Sequence, residues 1–579
     1  MPRPFSIRRS LLLTLIPVLA AAVVLGYLAW SQRTYRLGFP LDDAWIHQTY
    51  ARNLAQRGEW AFLPGRPSAG STSPLWTILL AVGHALHMDP RAWAYLLGTA
   101  ALAATALAAM HWTRRRTEHL PWVAAAAAVT VVLEWHLVWS AASGMETLLL
   151  GGLALLVFSA MEGGSSNPFR LGALIGAGLW IRPDALLLLG AGLWQAWTRP
   201  ARTWSTAFRG TMGLTSGMAC AFVPYILFLR LIGGEWWPST FYAKQAEYSA
   251  LTQAPFLQRA VDLVRAPLAG AGGLLLLGLL VEGIRLARTR RWYSLAPHVW
   301  MAAYVGAYAL RLPVSYQHGR YLMPLLPPLI VLGWFGLAPW LEAGVGRMRW
   351  IAGRAWVGAV AVVLVLFLAL GGRAYAQDVA IIESEMVDTA LWVAGHTPPG
   401  AKVAAHDIGA LGYFGERDLI DLAGLTDPDL IPILRDEGAL ARAMEARRVD
   451  YLVTFPGWYP ALSSCGDPIY VSHGAFSPGA GRPGMVRPGP LARNGRRPDA
   501  MDRRPGLGRG GGRRAGLVSR PGRARLCAGC GHHRKRNGRH GAVGRRSHAA
   551  GSHGCSARHR CTRLLRRKGP DRPGRIDGS

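Results

Sequence analysis

The sequence predicts an α-helical polytopic membrane protein of about eleven transmembrane helices, with a small α/β domain outside the membrane. Three observations predict it. The chain is 51% hydrophobic, rich in Leu, Ala and Val, and holds 23 Trp, unlike an average soluble protein. Apolar runs of spanning length recur from Ser10 to Gly371, separated by arginine-rich loops. Beyond Gly371 the composition turns soluble, and short strand-like and helix-like segments alternate to about residue 470.

The formal net charge of +31 is unevenly spread. Residues 471–579 hold 27 Lys and Arg against 4 Asp and Glu, whereas residues 1–470 hold 37 against 29. The body is therefore a moderately basic membrane protein and not a nucleic-acid binder. Of the six cysteines only Cys220 and Cys465 lie in the body, so no disulfide framework is indicated.

In chain order, Arg3, Arg8 and Arg9 precede an apolar run from Ser10 to Trp30. It ends in Tyr27-Leu28-Ala29-Trp30 without a small-residue cleavage site, which predicts an uncleaved anchor with its N-terminus inside. Further runs lie at 92–112, 121–139, 145–161, 170–182, 184–197, 210–232, 264–284, 294–310, 321–340 and 350–371. Pro74–Met88 is apolar but short. Leaving it out of the count puts Arg114-Arg115-Arg116, Arg199/Arg202/Arg209, Arg288/Arg290/Arg291 and Arg347/Arg349 on the cytoplasmic side, as the positive-inside tendency prefers. It is read as an interfacial or re-entrant helix. The stretch 170–197 is split at Arg182-Pro183-Asp184 into two short helices; one kinked helix there would invert everything downstream.

The first outer loop, 31–91, holds the stretch around which the rest is organised, LDDAWIHQTYARNLAQRGEW followed by PG and GSTSPLW within Leu41–Trp76. Asp42 to Gln56 suit a helix, and Gly58, Pro64, Gly65, Pro67, Gly70 and Pro74 then break it. Asp43, His47 and Tyr50 fall at i, i+4 and i+7 on one helical face. Four more polar loops join it on the outer side: Ser143–Thr147 with Glu146, Arg182-Pro183-Asp184, Gly234–Lys244 (GEWWPSTFYAK), and Ser315–Tyr321 (SYQHGRY). Each sets a charge against an apolar stretch, which is costly in hydrocarbon and marks a functional site.

In residues 372–470, Tyr375–His396 reads as an amphipathic helix, 402–407, 419–425 and 450–455 as strands, and 436–447 as a helix. His406, Asp407, Asp418 and Asp421 lie at strand ends, where they either face the site or cap turns. From about Val471 aromatics vanish except Phe476, and Arg, Gly, Pro and Ala dominate. Cys527-Ala528-Gly529-Cys530 with His532, His533, Cys555, His559 and Cys561 has zinc-ligand residue types but no strand or helix to frame them. A basic tail for nucleic acid or anionic lipid is another reading. The reading preferred here is a frame-shifted translation of GC-rich coding sequence, because the strand-forming body stops in mid-domain.

A site on the outer membrane face has no nucleotide sugars within reach, so its donor comes from the lipid phase, and a polyprenyl-phosphate sugar is the natural candidate. Transfer needs a base to take the proton of the attacking hydroxyl. The leaving phosphate needs only positive charge or a metal. Paired acids permit Mg²⁺ or Mn²⁺ without requiring it.

These residues also resemble a family, the multi-spanning, lipid-linked-sugar-dependent glycosyltransferases of type C architecture, nearest to mycobacterial arabinofuranosyltransferases and further from protein O-mannosyltransferases and aminoarabinose transferases. The resemblance rests on Leu41–Trp76, SGMETLLL (143–150), IRPDALLLL (181–189), GGEWWPSTFYAK (233–244), HGRYLMPLLP (318–327) and HDIGALGYFGERDLIDLAGLTDP (406–428), and it covers about 10–470. It implies a catalytic base at Asp42 or Asp43, an acceptor or metal role for Glu146, and donor-phosphate contacts from Tyr242, Lys244, Arg320 and Tyr321. His47, Arg182 and His318 are expected in support. Asp42, Asp43 and Glu146 are the candidate metal ligands. The expected partners are a polyprenyl-phosphate sugar, a glycan, lipid or protein acceptor, and the inner or plasma membrane, with the site extracytoplasmic. An oligosaccharide polymerase or ligase would favour arginine over paired acids in the outer loops. A transporter or flippase would favour mid-span charges and paired repeats.

Overall fold

The computed structural model describes residues 9–475 and 484–488, apart from 119, 164–166, 201–202 and 343–345. The Cys527–Cys561 cluster and the tail beyond 488 lie outside the described residues. Every apolar run named above is helical. The first helices are α1 (Arg9–Thr34), α2 (Asp43–Arg57), α3 (Pro74–Ala85), α4 (Pro90–Arg116), α5 (Pro121–Leu133), α6 (Trp135–Ala141) and α7 (Thr147–Glu162). They are followed by α8 (Pro168–Gly178), α9 (Leu187–Thr198), α10 (Trp204–Gly233), α11 (Ser239–Glu247), α12 (Phe256–Arg265), α13 (Ala271–Arg288) and α14 (Ala296–Arg311). Two more, Leu326–Leu337 and Arg347–Ile382, complete the apolar part. By length and composition five described helices can cross a membrane, or six if α5 and α6, bent by 57°, form one span. The other apolar runs fold as shorter helices.

The chain turns back at Arg182–Asp184. Pro183 donates no N–H and opens a short 3₁₀ turn between α8 and α9. Gly172 and Gly176 of α8 meet Leu214 and Met218 of α10 in ascending order, so these two helices run parallel. Gly192 of α9 meets Leu214, and Trp197 bonds back to Thr211 at 3.0 Å, so α9 runs antiparallel to α10. The parallel pair approaches closely because it is lined with glycine. A Cβ on Gly172 would lie 2.0 Å from the Leu214 carbonyl oxygen, and one on Gly217 2.0 Å from that of Phe169.

Beyond the long helix the chain forms a five-stranded sheet in the order β4-β3-β5-β7-β6. It is formed by β3 (Lys402–Ala405), β4 (Asp418–Asp421), β5 (Tyr451–Thr454), β6 (Gly466–Val471) and β7 (Gly484–Pro488), after a small hairpin of β1 (Ala61–Leu63) and β2 (Arg66–Pro67) earlier in the chain. The β3 strand pairs in parallel with both β4 and β5, and β7 pairs antiparallel with β5 and β6. The helix Arg347–Ile382 runs unbroken through Gly371 and leads through a π-helical turn into Asp388–His396.

One hydrophobic core joins this sheet to the first outer loop. Phe39, Trp45, Tyr50 and Phe62 are buried together with Val403, Ala405, Leu411 and Val453. Ion pairs strengthen the joint: Arg36 meets Glu383 at 2.8 Å and Asp388 at 2.7 Å, and Arg91 reaches the same Glu383 at 3.3 Å. The start of α2 is therefore fixed against both layers.

Candidate active site

The adjacent acids at the start of α2 diverge. Asp43 turns toward two cations from distant segments, Arg320 Nη2 at 2.5 Å and Lys244 Nζ at 3.7 Å. Burial alone would raise its pKa, but these charges outweigh burial and hold the carboxylate well below its usual range. Asp42 turns the other way and accepts the N–H groups of Gly409 (2.7 Å) and Ala410 (2.8 Å). It caps a helical turn of the sheet domain, while making no side-chain cap to its own helix. Burial and the nearby Asp407 push Asp42 up to about 7, against the pull of those two N–H groups.

Local backbone aims the cations. Lys244 sits on α11, which starts after Gly234 (φ +72) turns the chain out of α10 and Pro238 sets its first turn. Arg320 follows three left-handed residues, Gln317 (φ +53), His318 (φ +58) and Gly319 (φ +68). Two of these are not glycine, a strained arrangement of the kind found at functional sites. Arg320 is 9% exposed, and its Nε and Nη1 have no hydrogen-bond partner among the described residues. Tyr321 O–H lies 3.1 Å from Lys244 and 3.3 Å from Arg320.

Behind Asp43 runs a buried polar chain. Glu146, fully buried, accepts from Arg182 at 2.8 Å and has His47 at 3.7 Å. Arg182 also pairs with Asp184 at 2.8 Å, and Asp184 accepts from Tyr308 at 2.7 Å and Tyr304 at 3.2 Å. The opposite edge of His47 rests on Thr77 and Ser71, each 3.2 Å away, which is where α3 contributes. Burial lowers the His47 pKa against the opposing pull of Glu146 and Asp43.

Asp43, Lys244, Arg320 and Tyr321 stand between two cavities and line both. The larger, about 780 Å³, opens between α2, α11 and the sheet domain, where His406, Asp407, Glu247 and Trp458 face it. The smaller, about 260 Å³, is reached past Leu186, Leu187, Trp237, Phe241 and Leu312. A charged centre thus separates a larger chamber of mixed polar and apolar lining from a smaller one whose lining is mostly apolar.

Of the residues the sequence singled out, Asp43, Lys244, Arg320 and Tyr321 come together, and His47, Glu146 and Arg182 stand directly behind them. Asp42 lines the larger cavity but has its carboxylate engaged by Gly409 and Ala410. Tyr242 is 37% exposed and lines neither cavity; Phe241 does. His318 bonds to Asp378 at 2.7 Å, between Trp135 and Trp139, away from Asp43. Tyr50 shares the helical face of Asp43 but is pinned to Ser68 (2.6 Å) and Gly70 (3.0 Å). Asp418 pairs with Arg66, and Asp421 holds the turn at Ala423–Thr426. Of the candidate metal ligands, Asp42, Asp43 and Glu146 point to separate partners, and among the described residues no group of three or more His, Cys, Asp or Glu side chains converges. Sequence reasoning missed Tyr304 and Tyr308, the partners of Asp184, and also Glu247 and Trp458. Tyr304 and Tyr308 were detectable in principle as i, i+4 polar tips in an otherwise apolar run.

A family model described as a domain of unknown function (DUF8728) matches residues 375–485. No curated protein matches the sequence. Solved structures do. ArnT from Cupriavidus metallidurans, bound to undecaprenyl phosphate, aligns over 81% of this chain and 97% of its own at 16% identity, with a TM-score of 0.52. The Archaeoglobus fulgidus oligosaccharyltransferase in complex with zinc and sulfate aligns over 77% and 68% at 11% identity, with a TM-score of 0.53. The arabinofuranosyltransferase AftD from Mycobacteria aligns over 83% of this chain and 40% of its own at 16% identity, with a TM-score of 0.41. The chain has the fold shared by the first two, that of a multi-helix membrane protein.

Proposed function

We propose that this chain is an integral-membrane glycosyltransferase that moves a sugar from a polyprenyl-phosphate donor to an acceptor hydroxyl on the outer face of the membrane. One observation carries the reading. A buried guanidinium whose Nε and Nη1 have no partner among the described residues, together with a lysine, flanks a carboxylate where a mostly apolar cavity meets one of mixed lining. Unpartnered buried donors on a cation call for an anion, and the apolar chamber suits a lipid chain carrying one. The shared fold with a protein solved with undecaprenyl phosphate supports the same choice.

The chemistry follows from the placement. The donor phosphate takes hydrogen bonds from Arg320 and Lys244, which frees Asp43 from part of their hold and raises its proton affinity. The acceptor hydroxyl enters from the larger cavity and attacks the anomeric carbon. A carbon–oxygen bond to the acceptor forms as the bond to the phosphate oxygen breaks. The hydroxyl proton passes to Asp43 and then to water, and the lipid phosphate leaves with its charge held by the two cations. Glu146 and Arg182 keep His47 and the start of α2 in place. In this reading the chain spans the membrane eleven times, α3 lies at the interface, and the β3–β7 domain faces outward over the site.

The test is a membrane transfer assay with a panel of polyprenyl-phosphate hexoses and pentoses. Release of polyprenyl phosphate that depends on Asp43 supports the reading. Movement of intact donor across the bilayer without release overturns it in favour of a flippase, and turnover of lipid-diphosphate oligosaccharides alone overturns it in favour of a polymerase or ligase.

A further inference from the structure

We propose that the outer half of the larger cavity binds a neutral glycan, the acceptor of the transfer, on a shelf of aromatic rings. This deepens the reading above and rests on it. The cavity opens at the carboxyl ends of β3, β4 and β5: its wall is built from 406–408, from Ala423 and Leu425, and from Trp458 and Tyr459, the residues that follow those strands. With β3 parallel to both neighbours, this is the end of an open sheet where ligands bind. At about 780 Å³ the space falls in the range of ligand sites, and Asp43 forms part of its floor.

Its lining selects the class of ligand. Trp458 is 52% exposed although it faces a cavity, and its ring is held in place by the edge of His406 at 4.8 Å and by Phe455 at 4.7 Å. Tyr248 and Tyr316, 5.8 Å apart, contribute further ring surface, and Tyr316 is 45% exposed. The charged groups among these rings already have partners. His406 lies between Glu247 (3.4 Å) and Asp407 (3.3 Å), Arg435 donates to Ser249, and Glu437 accepts from Leu462 N–H. A neutral ligand that offers C–H faces to rings and hydroxyls to carboxylates matches that lining, and a carbohydrate has both. An acyl chain would desolvate the charged groups without compensation. An anionic acceptor would meet three carboxylates, Glu247, Asp407 and Glu437, against Arg435 and a His406 already held between two of them. A peptide added as a strand needs a sheet edge, and the cavity presents strand ends.

Saturation-transfer NMR on the full chain in detergent micelles tests this with three probes: neutral linear tetrasaccharides of a pentofuranose and a hexopyranose, a neutral Ser/Thr-rich peptide, and an anionic sugar phosphate. The expected result is saturation of sugar ring protons for a neutral tetrasaccharide, with affinity falling about tenfold in Trp458→Ala and recovering in Trp458→Phe. Trp458 is half exposed, so the fold tolerates both changes, and unchanged melting of the variants checks it. Tetrasaccharide binding that is undiminished in Trp458→Ala overturns the proposal, as does tighter binding of the peptide or the sugar phosphate, or binding of no tetrasaccharide. The transferase reading is judged separately, by Asp43-dependent release of lipid phosphate. Release without glycan binding sinks this inference alone, and glycan binding without release sinks the transferase reading.

Discussion

The Asp43 carboxylate lies 2.5 Å from Nη2 of Arg320, and two further buried nitrogens of Arg320, Nε and Nη1, have no partner among the described residues. Arg320 thus holds the acid in its ionised form and still has N–H groups to offer an incoming anion. A guanidinium can do both because its five donors are fixed in a plane.

Asp43 and Asp42 are expected to separate cleanly on mutation. Asp43→Asn keeps the shape and removes the base, and turnover should fall about 10²–10⁴-fold. Asp42→Asn keeps an acceptor for Gly409 or Ala410, and turnover should stay within about tenfold of the native rate, a difference of about 1.4 kcal/mol in the barrier. Steady-state rates of polyprenyl-phosphate release measure both.

Arg182 satisfies two buried or half-buried acids, Glu146 and Asp184. Arg182→Met leaves Glu146 as a buried charge without its cation, and stability should fall by about 3–5 kcal/mol. Glu146→Gln, which keeps an acceptor, should cost less. Yield and melting temperature in detergent rank the two.

The glycine seam between α8 and α10 leaves no space for a side chain. Gly217→Val places carbon against the Phe169 carbonyl and should splay the pair, costing about 1–3 kcal/mol or more. Gly190, inside α9 and with nothing within 4 Å of its Cβ position, is the control: Gly190→Ala should not lower the melting temperature.

His406 gives the sheet domain a pH dependence. Burial works to lower its pKa, but hydrogen bonds to Asp407 and Glu247 outweigh this and push it up to about 10. A histidine raised in the folded state stabilises fully below its ordinary pKa of about 6.5 and loses that contribution as pH rises through about 10. Melting temperature should therefore fall between pH 6.5 and 10, and His406→Gln should flatten that part of the curve. Asp421, which burial raises to about 6, titrates below this window.

Several of these features were legible in the chain. The helix over Asp43–Arg57, the break at Arg182–Asp184 and the strands at 402–405, 418–421 and 451–454 follow from local pattern. Others were legible but misread. On α11, Phe241 is three residues from Lys244 and shares its face, whereas Tyr242 is two residues away and points elsewhere. Tyr50 does share a face with Asp43, but seven residues along a helix is about 10 Å, beyond contact. Nothing local reveals that the left-handed run Gln317–Gly319 turns His318 toward Asp378 and Arg320 toward Asp43.

The sequence by itself determined where the apolar helices and three of the strands lie and which loops carry charge, because helix period, proline, glycine and apolar run length act over a few residues. Only the tertiary structure decided which of two neighbouring acids meets the cations and which caps a turn of the sheet domain. A side chain's direction at such a place is chosen by partners far along the chain, here Lys244 and Arg320 for one acid and Gly409 and Ala410 for the other, and no local pattern encodes those contacts.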